Sequence, residues 1–245
     1  MLTTAETLHA APIFVVGCGH SGSSITARLI GAHPNIWPIA GETKVAMRRD
    51  KACFSAACMA FQEEARFFGR SRWLEKTPRH ILVMPFLLDS YETSRIVAVF
   101  RDPRDVCLSF KKRYGNVDIG ISRYHEAAAS LIPLIGHARV LLVQYEDLVE
   151  NTVGFLMTVM SFLGEDFREC QLRYHEDPVS WYATSHEKPA SELGKENHNQ
   201  LRNWQINQPL FDGRGKWRSG LTSTELALIR SGLQSFADLL GYNLH

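Results

Sequence analysis

Cysteine is scarce in this chain, and it does not come in pairs. The five cysteines, Cys18, Cys53, Cys58, Cys107 and Cys170, are an odd number with no C-x-x-C spacing. That excludes a disulfide framework and the paired-cysteine pattern of a structural zinc site, so no metal is expected. An excess charge of one sign is also missing. With 27 basic against 26 acidic residues the net charge is +1, which fits neither a nucleic-acid-binding chain nor an acidic tail, and any anion site must be local. Met1 to Pro12 holds no basic region followed by a long apolar run, so neither a signal peptide nor a membrane span is expected, and the expected location is cytoplasmic. Internal repeats and low-complexity tracts are absent. What is present, 45% hydrophobic and 22% charged residues over 245 positions, is enough for a sizeable core, read here as one domain over residues 1–245.

The most informative absence is a single lysine. Gly17 and Gly22 in Phe14-Val15-Val16-Gly17-Cys18-Gly19-His20-Ser21-Gly22-Ser23-Ser24 stand at the spacing of a phosphate-binding loop between a strand and a helix. Ser23 occupies the position of the Walker lysine, and Ser24 follows it. Backbone amides and hydroxyls remain to hold an anion, but no ammonium reaches the outer phosphates. The loop therefore points to a phosphate-bearing donor other than Mg-ATP.

Strands are expected at Pro12 to Gly17, Arg72 to Glu75, Arg95 to Phe100 and Arg139 to Gln144, the third nearly all apolar and β-branched, as a parallel strand covered on both faces should be. Helices are expected at Ser23 to Gly31, from the polar break at Gly41 to about Phe68, after Pro78, from an Asp102 cap to about Tyr114, from about Gly120 to Ile135, and from about Asp147 to Leu163. A last helix begins at the Thr222 and Glu225 capping box and carries Leu226, Ile229, Leu233, Phe236 and Leu240 as one stripe. The polar stretch 183–203 has no clear period and is read as a flexible loop or lid. Alternating strands and helices imply an α/β fold, a P-loop-like three-layer arrangement with a central parallel sheet flanked by helices.

Phe100-Arg101-Asp102 stands where a Walker B acid would end its strand, but Arg101 suits a further phosphate better than a metal. Ser109, eight residues on, adds a hydroxyl. Taken alone, Arg101 is also explained by a salt bridge to Asp102 or Asp105.

The order of these elements resembles the sulfotransferases that use 3'-phosphoadenosine 5'-phosphosulfate (PAPS) and release 3'-phosphoadenosine 5'-phosphate (PAP). His20-Ser21-Gly22-Ser23-Ser24 is similar to their first loop, which implies that Gly19, His20, Ser21, Gly22, Ser23 and Ser24 hold the 5'-phosphosulfate. Arg101 and Ser109 match the pair that binds the 3'-phosphate. Gly41-Glu42-Thr43-Lys44 is similar to the protein-tyrosine type, whose glutamate there is the catalytic base. Glu75-Lys76-Thr77-Pro78 resembles bacterial and tyrosyl-type members, whose lysine sits beside the transferring group. Tyr145-Glu146-Asp147-Leu148 resembles the segment whose tyrosine lies against the adenine. Gly213-Arg214-Gly215-Lys216-Trp217-Arg218 looks like the basic segment closing over the cofactor, which implicates Arg214, Gly215 and Lys216 in an open register. Together these segments span about two thirds of the chain.

The resemblance implies sulfuryl transfer to a hydroxyl acceptor, with Glu42 as general base and Lys76 and His20 at the transferring group. His20 departs from the family, which places Arg or Lys there. It is either neutral and donates one hydrogen bond, or is charged by the adjacent anion. The absence of a leader favours a small-molecule, lipid or sugar hydroxyl over a secretory protein, with acceptor contacts sought in 45–68, 116–130 and 183–203. A small-molecule kinase and a non-catalytic nucleotide-binding protein remain the alternatives.

Overall fold

The computed structural model describes residues 11–190 and 195–245. Residues 1–10, which carry most of the leader reading, and residues 191–194, inside the expected 183–203 loop, lie outside the described residues. Five parallel strands form one sheet in the order β2-β3-β1-β4-β5: β1 (Ile13–Gly17), β2 (Ile36–Pro38), β3 (Arg72–Lys76), β4 (Arg95–Phe100) and β5 (Val140–Gln144). Alternation along the strands builds a core on each face. Phe14, Val16, Ile96, Ala98 and Phe100 belong to one cluster, whereas Ile13, Val15, Val97 and Val99 belong to the other.

Helices cover both faces. Against the first cluster pack α2 (Lys51–Phe67), α3 (Met84–Ser90), α5 (Asp118–Leu131) and α10 (Ser223–Leu239); against the second pack α1 (Ser23–Gly31), α6 (Tyr145–Glu150) and α7 (Thr152–Leu163). The expected three-layer α/β arrangement is the one found. Between β4 and α5 runs α4 (Pro103–Tyr114), with Asp102 as its cap accepting from the Arg104 N–H, and the Thr222–Glu225 capping box starts α10 as expected. No helix among the described residues is long and apolar enough to cross a membrane.

Several boundaries differ from expectation, each for a local reason. The helix expected from Gly41 begins only at Lys51, where Asp50 caps it; before that, Lys44 and Arg49 take left-handed backbone with φ of 56° and 54°. The helix expected over 147–163 is two helices, because Asn151 leaves helical geometry and caps the second through its side chain. The short strand β2 sits at the sheet edge and ends on Pro38, too brief for a pattern to show. The stretch 183–203 is not all loop: α8 (Lys195–Gln205) lies within and just beyond it. Of the apolar residues on α8 only Leu201 is buried, and polar contacts add to it. The buried Asn203 amide accepts from the Trp181 and Tyr182 N–H groups and donates to the Tyr182 and Thr184 carbonyls. Short helical turns complete the order, among them α9 (Trp217–Gly220), which begins within the basic segment.

Candidate active site

The carboxyl ends of β1, β3, β4 and β5 lie along one edge, so the residues that follow each strand converge on one cleft of about 450 Å³. That volume is ordinary for a small-molecule site. After β1 the loop is fastened from within. Gly17 runs so close to β4 that a Cβ would stand 2.2 Å from the Val99 carbonyl oxygen. The Ser21 hydroxyl lies 2.6 Å from the Cys18 carbonyl and 2.8 Å from that of Val99, so it is turned into the fold. Gly22 has φ of 94°, and a Cβ there would meet the Tyr145 ring at 2.6 Å. Gly19, His20, Gly22, Ser23 and Ser24 line the cleft, and α1 opens onto it with no side-chain cap. Uncapped first-turn amides are the donors an anion needs.

His20 also has left-handed backbone, φ 66°, and its Nδ1 lies 2.8 Å from Ser109 Oγ. Its ring meets Phe110 edge-on at 4.4 Å and stands 5.6 Å from the His198 ring. Burial, with His198, Arg113, Arg202 and Arg101 nearby, lowers its pKa to about 3, so it is neutral here.

Glu42 sits between two cations. Its Oε1 accepts from Lys76 Nζ at 3.0 Å and from an Arg202 guanidinium N–H on α8, and the same Arg202 nitrogen donates to Ser24 Oγ at 3.0 Å. Burial alone would raise the Glu42 carboxyl, but Lys76 and Arg202 outweigh it and bring the pKa down to about 2. Lys76 is lowered too, which for a lysine disfavours the charged form: burial and Arg202 bring it to about 7, against the pull of Glu42. Its ammonium also donates to Tyr182 Oη at 3.2 Å.

Beneath this cluster lies a scaffold centred on the wholly buried Glu75, Thr77 and His80. Glu75 Oε1 accepts from the Thr43 N–H and hydroxyl and from Thr77 Oγ1, and Oε2 stands 2.9 Å from His80 Nδ1. Thr77 Oγ1 in turn accepts from the Lys44 N–H, and His80 Nε2 from the Ala46 N–H. Residues 43 to 46 are thus pinned to β3 and the turn after it. That holds Glu42 at the mouth of the cleft.

At the other end Arg101 places its guanidinium 4.5 Å from the centre of the Tyr145 ring, donates to the Gly213 carbonyl and lies 3.5 Å from Asp105. Its Nε is buried with no hydrogen-bond partner among the described residues, which leaves a donor for a ligand anion. The Tyr145 hydroxyl accepts from the Gly213 N–H and donates to the Phe211 carbonyl, each at 3.1 Å. Lys216 lines the cleft beside Phe211. Arg214 instead pairs with Asp212 and Glu150, and the Gly215 N–H donates to Asp105. In the register seen here Gly213 and Lys216 face the cleft, while Arg214 and Gly215 do not.

The structure thus brings Glu42, Lys76, His20, Ser24, Arg101, Ser109 and Tyr145 together. Sequence reasoning missed Arg202 and His198 on α8, and Arg113, whose Nη1 donates to His198 Nε2 at 2.9 Å. Arg113 carried a usable signal, since it follows Ser109 by one helical turn on the same face. No residue of 45–68 lines the cleft.

A parallel sheet with a glycine loop after its central strand and cations at the ends of the neighbouring strands defines a P-loop-like fold built to take a nucleotide's phosphates. Residues 47–169, half of the chain, match the family model of the Sulfotransferase family, and the chain belongs to that family of enzymes. The match includes Lys76, Arg101, Ser109 and Tyr145; the first loop, Glu42 and Arg202 lie outside it. Among solved structures, the sulfotransferase domain from the curacin biosynthetic pathway is 15% identical, with 96% of this chain and 99% of that one covered and a TM-score of 0.67. The sulfotransferase domain of the Synechococcus olefin synthase is 18% identical, with 96% of each chain covered and a TM-score of 0.67. A mouse sulfotransferase complexed with PAP is 17% identical over 96% of this chain and 89% of that one, with a TM-score of 0.55. At these identities the likeness is one of fold. No curated protein matches the chain by sequence.

Proposed function

We propose that the protein transfers the sulfuryl group of PAPS to a hydroxyl acceptor, a small molecule, lipid or sugar, and that residues 1–245 form one sulfotransferase-type domain. One observation carries the reading: a single cleft joins an uncapped helix N-terminus and the free Arg101 Nε to the cluster of Glu42, Lys76 and Arg202. The PAP complex of the mouse enzyme supports the choice of nucleotide.

PAPS supplies, when bound, a sulfuryl group already activated by its bond to the 5'-phosphate. The amides after Gly22, with Ser23 and Ser24, would hold the 5'-phosphate; Arg101, Ser109 and Lys216 the 3'-phosphate; and Tyr145 the adenine. Lys76 and Arg202 offer more N–H groups than Glu42 accepts, so they can turn donors toward an anion without leaving the carboxylate. As they do so, Glu42 loses stabilisation of its charged form and becomes a stronger base for the acceptor's proton. His20, neutral and fixed against Ser109, serves as a hydrogen-bonding group rather than a standing charge. The Mg-ATP alternative lacks the lysine that such a loop requires.

Transfer of radiolabelled sulfate from PAPS to a panel of alcohols, sugars and phenols tests the reading. The expected result is enzyme-dependent label on at least one acceptor, with His20→Ala slowing turnover at least about tenfold, about 1.4 kcal/mol. Unchanged turnover in that variant removes His20 from the mechanism. No label on any acceptor, with PAP binding intact, leaves a nucleotide binder instead of an enzyme.

A further inference from the structure

The cleft holds more positive charge than its own acids balance. Among the described residues two carboxylates line it, Glu42 and Asp105. Arg101 and Lys216 stand at one end about Tyr145, and Arg202 stands with Lys76 at Glu42. Further basic side chains still line the cleft: Arg79 and Arg123, which share Glu126, and Lys112 and Arg113 at the end of α4.

Arg113 is the informative one. It is partly buried, its one hydrogen-bonding partner among the described residues is the neutral ring of His198, and no carboxylate among the described side chains pairs with it. Its position follows from the helix. Ser109 and Arg113 stand one turn apart on one face of α4; Ser109 meets His20, and Arg113 meets His198, whose ring faces that of His20. Burial lowers its pKa, and beyond its neighbour Tyr114 the charges it feels are Arg202 and Glu42, so it borders the base. A guanidinium half-withdrawn from water beside another guanidinium is unfavourable until an anion arrives. Its planar fork suits a two-oxygen anion.

We propose that the acceptor is an alcohol that also bears an anionic group, a phosphate, sulfate or carboxylate, and that Arg113 seats this group. The inference rests on the sulfotransferase reading, since the base defines which side of the cleft receives the acceptor. Lys112 and the Arg79–Arg123 pair extend the same positive field along the mouth and favour capture of such an acceptor.

The test compares matched probes on the full chain saturated with PAP or supplied with PAPS: glucose against glucose 6-phosphate, glucose against glucose 6-sulfate, and the methyl ester of 3-hydroxybutyrate against 3-hydroxybutyrate. These arms separate phosphate, sulfate and carboxylate. Sulfuryl transfer and the thermal shift of the PAP-saturated protein are both read. At least one anionic member is expected to stabilise the PAP complex and to exceed its neutral partner in kcat/KM by about tenfold or more, about 1.4 kcal/mol. Arg113→Gln should abolish that preference through KM while PAP affinity stays within about twofold, and Arg113→Lys should restore part of it. Equal use of neutral and anionic probes overturns the proposal, and so does the absence of both transfer and stabilisation with every anionic probe. Parallel loss of PAP affinity in Arg113→Gln would assign Arg113 to the donor and also overturn it. Failure of the sulfotransferase reading itself would show earlier, as the absence of any stabilisation by PAP.

Discussion

Glu42→Gln should lower the rate of sulfuryl transfer by about a hundred- to ten-thousand-fold, the range expected of the proposed general base, with PAP affinity held within about threefold. The substitution keeps the side chain's shape and an oxygen for Lys76 and Arg202 to bind, but removes the basic carboxylate. Because two cations hold Glu42 near 2 in the free protein, its protonation does not shape activity in the neutral range. Lys76 does. Its free-protein value of about 7 means that raising the pH through neutrality discharges the ammonium, so kcat/KM for the donor should fall on the alkaline side from about there. Lys76→Arg should move that limb upward, since arginine stays charged. Wild-type transfer by Glu42→Gln would remove the base assignment, and an alkaline limb unchanged in Lys76→Arg would remove the lysine from that limb.

Arg72→Ala should destabilise the fold by about 3–5 kcal/mol, the cost of breaking a buried ion pair from one side. Arg72 starts β3 and is fully buried. Its Nε donates to the Ala11 carbonyl at 2.8 Å, and its Nη1 donates to the Leu163 carbonyl at 2.7 Å and to Glu165 Oε1 at 3.2 Å. One guanidinium therefore ties the segment before β1, the end of α7 and the beginning of β3. Alanine takes the buried cation from Glu165, removes a donor from two carbonyls and opens a cavity. In a chain of this length the corresponding fall in Tm is about 6–20 °C. Restoring the volume without charge, as Arg72→Met combined with Glu165→Leu, should recover part of the loss, because a buried pair is costly chiefly when half of it is left. Chemical denaturation reads the difference. A loss below about 1 kcal/mol would place the pair in the class of exposed salt bridges.

The parts of the fold that were legible are those whose cause is local. β4 reads as a buried parallel strand because Ile96 to Phe100 are all apolar, and α10 because its cap and its buried Ile229, Leu233 and Leu240 lie within one segment. The glycine loop and Arg101 were legible because each stands directly at a strand end. The rest depends on distant partners. Arg202 reaches the site from α8, a helix with few apolar residues, held by the Asn203 amide to residues some twenty positions earlier. Arg72 reads only as the first residue of a strand, since Leu163 and Glu165, which explain its burial, are remote in sequence. Glu75 stands in a recognisable motif beside Lys76, yet alternation along β3 sends the two side chains to different tasks. Lys76 meets Glu42, and Glu75 is spent on Thr43, Thr77 and His80. The register of the basic segment 213–218 was open because Asp212, Glu150 and Asp105, which draw Arg214 and Gly215 away, set it.

A loop without a Walker lysine, joined to a cation at the end of β4, should select a 3'-phosphorylated nucleotide over a triphosphate. Calorimetric titration of the purified chain with PAP and, separately, with Mg-ATP tests it most directly, with Arg101→Gln as the comparison. PAP should bind at least about a hundredfold tighter than Mg-ATP, about 2.7 kcal/mol, with most of that preference lost in Arg101→Gln. Equal or tighter binding of Mg-ATP, or a PAP affinity unchanged in Arg101→Gln, would contradict it.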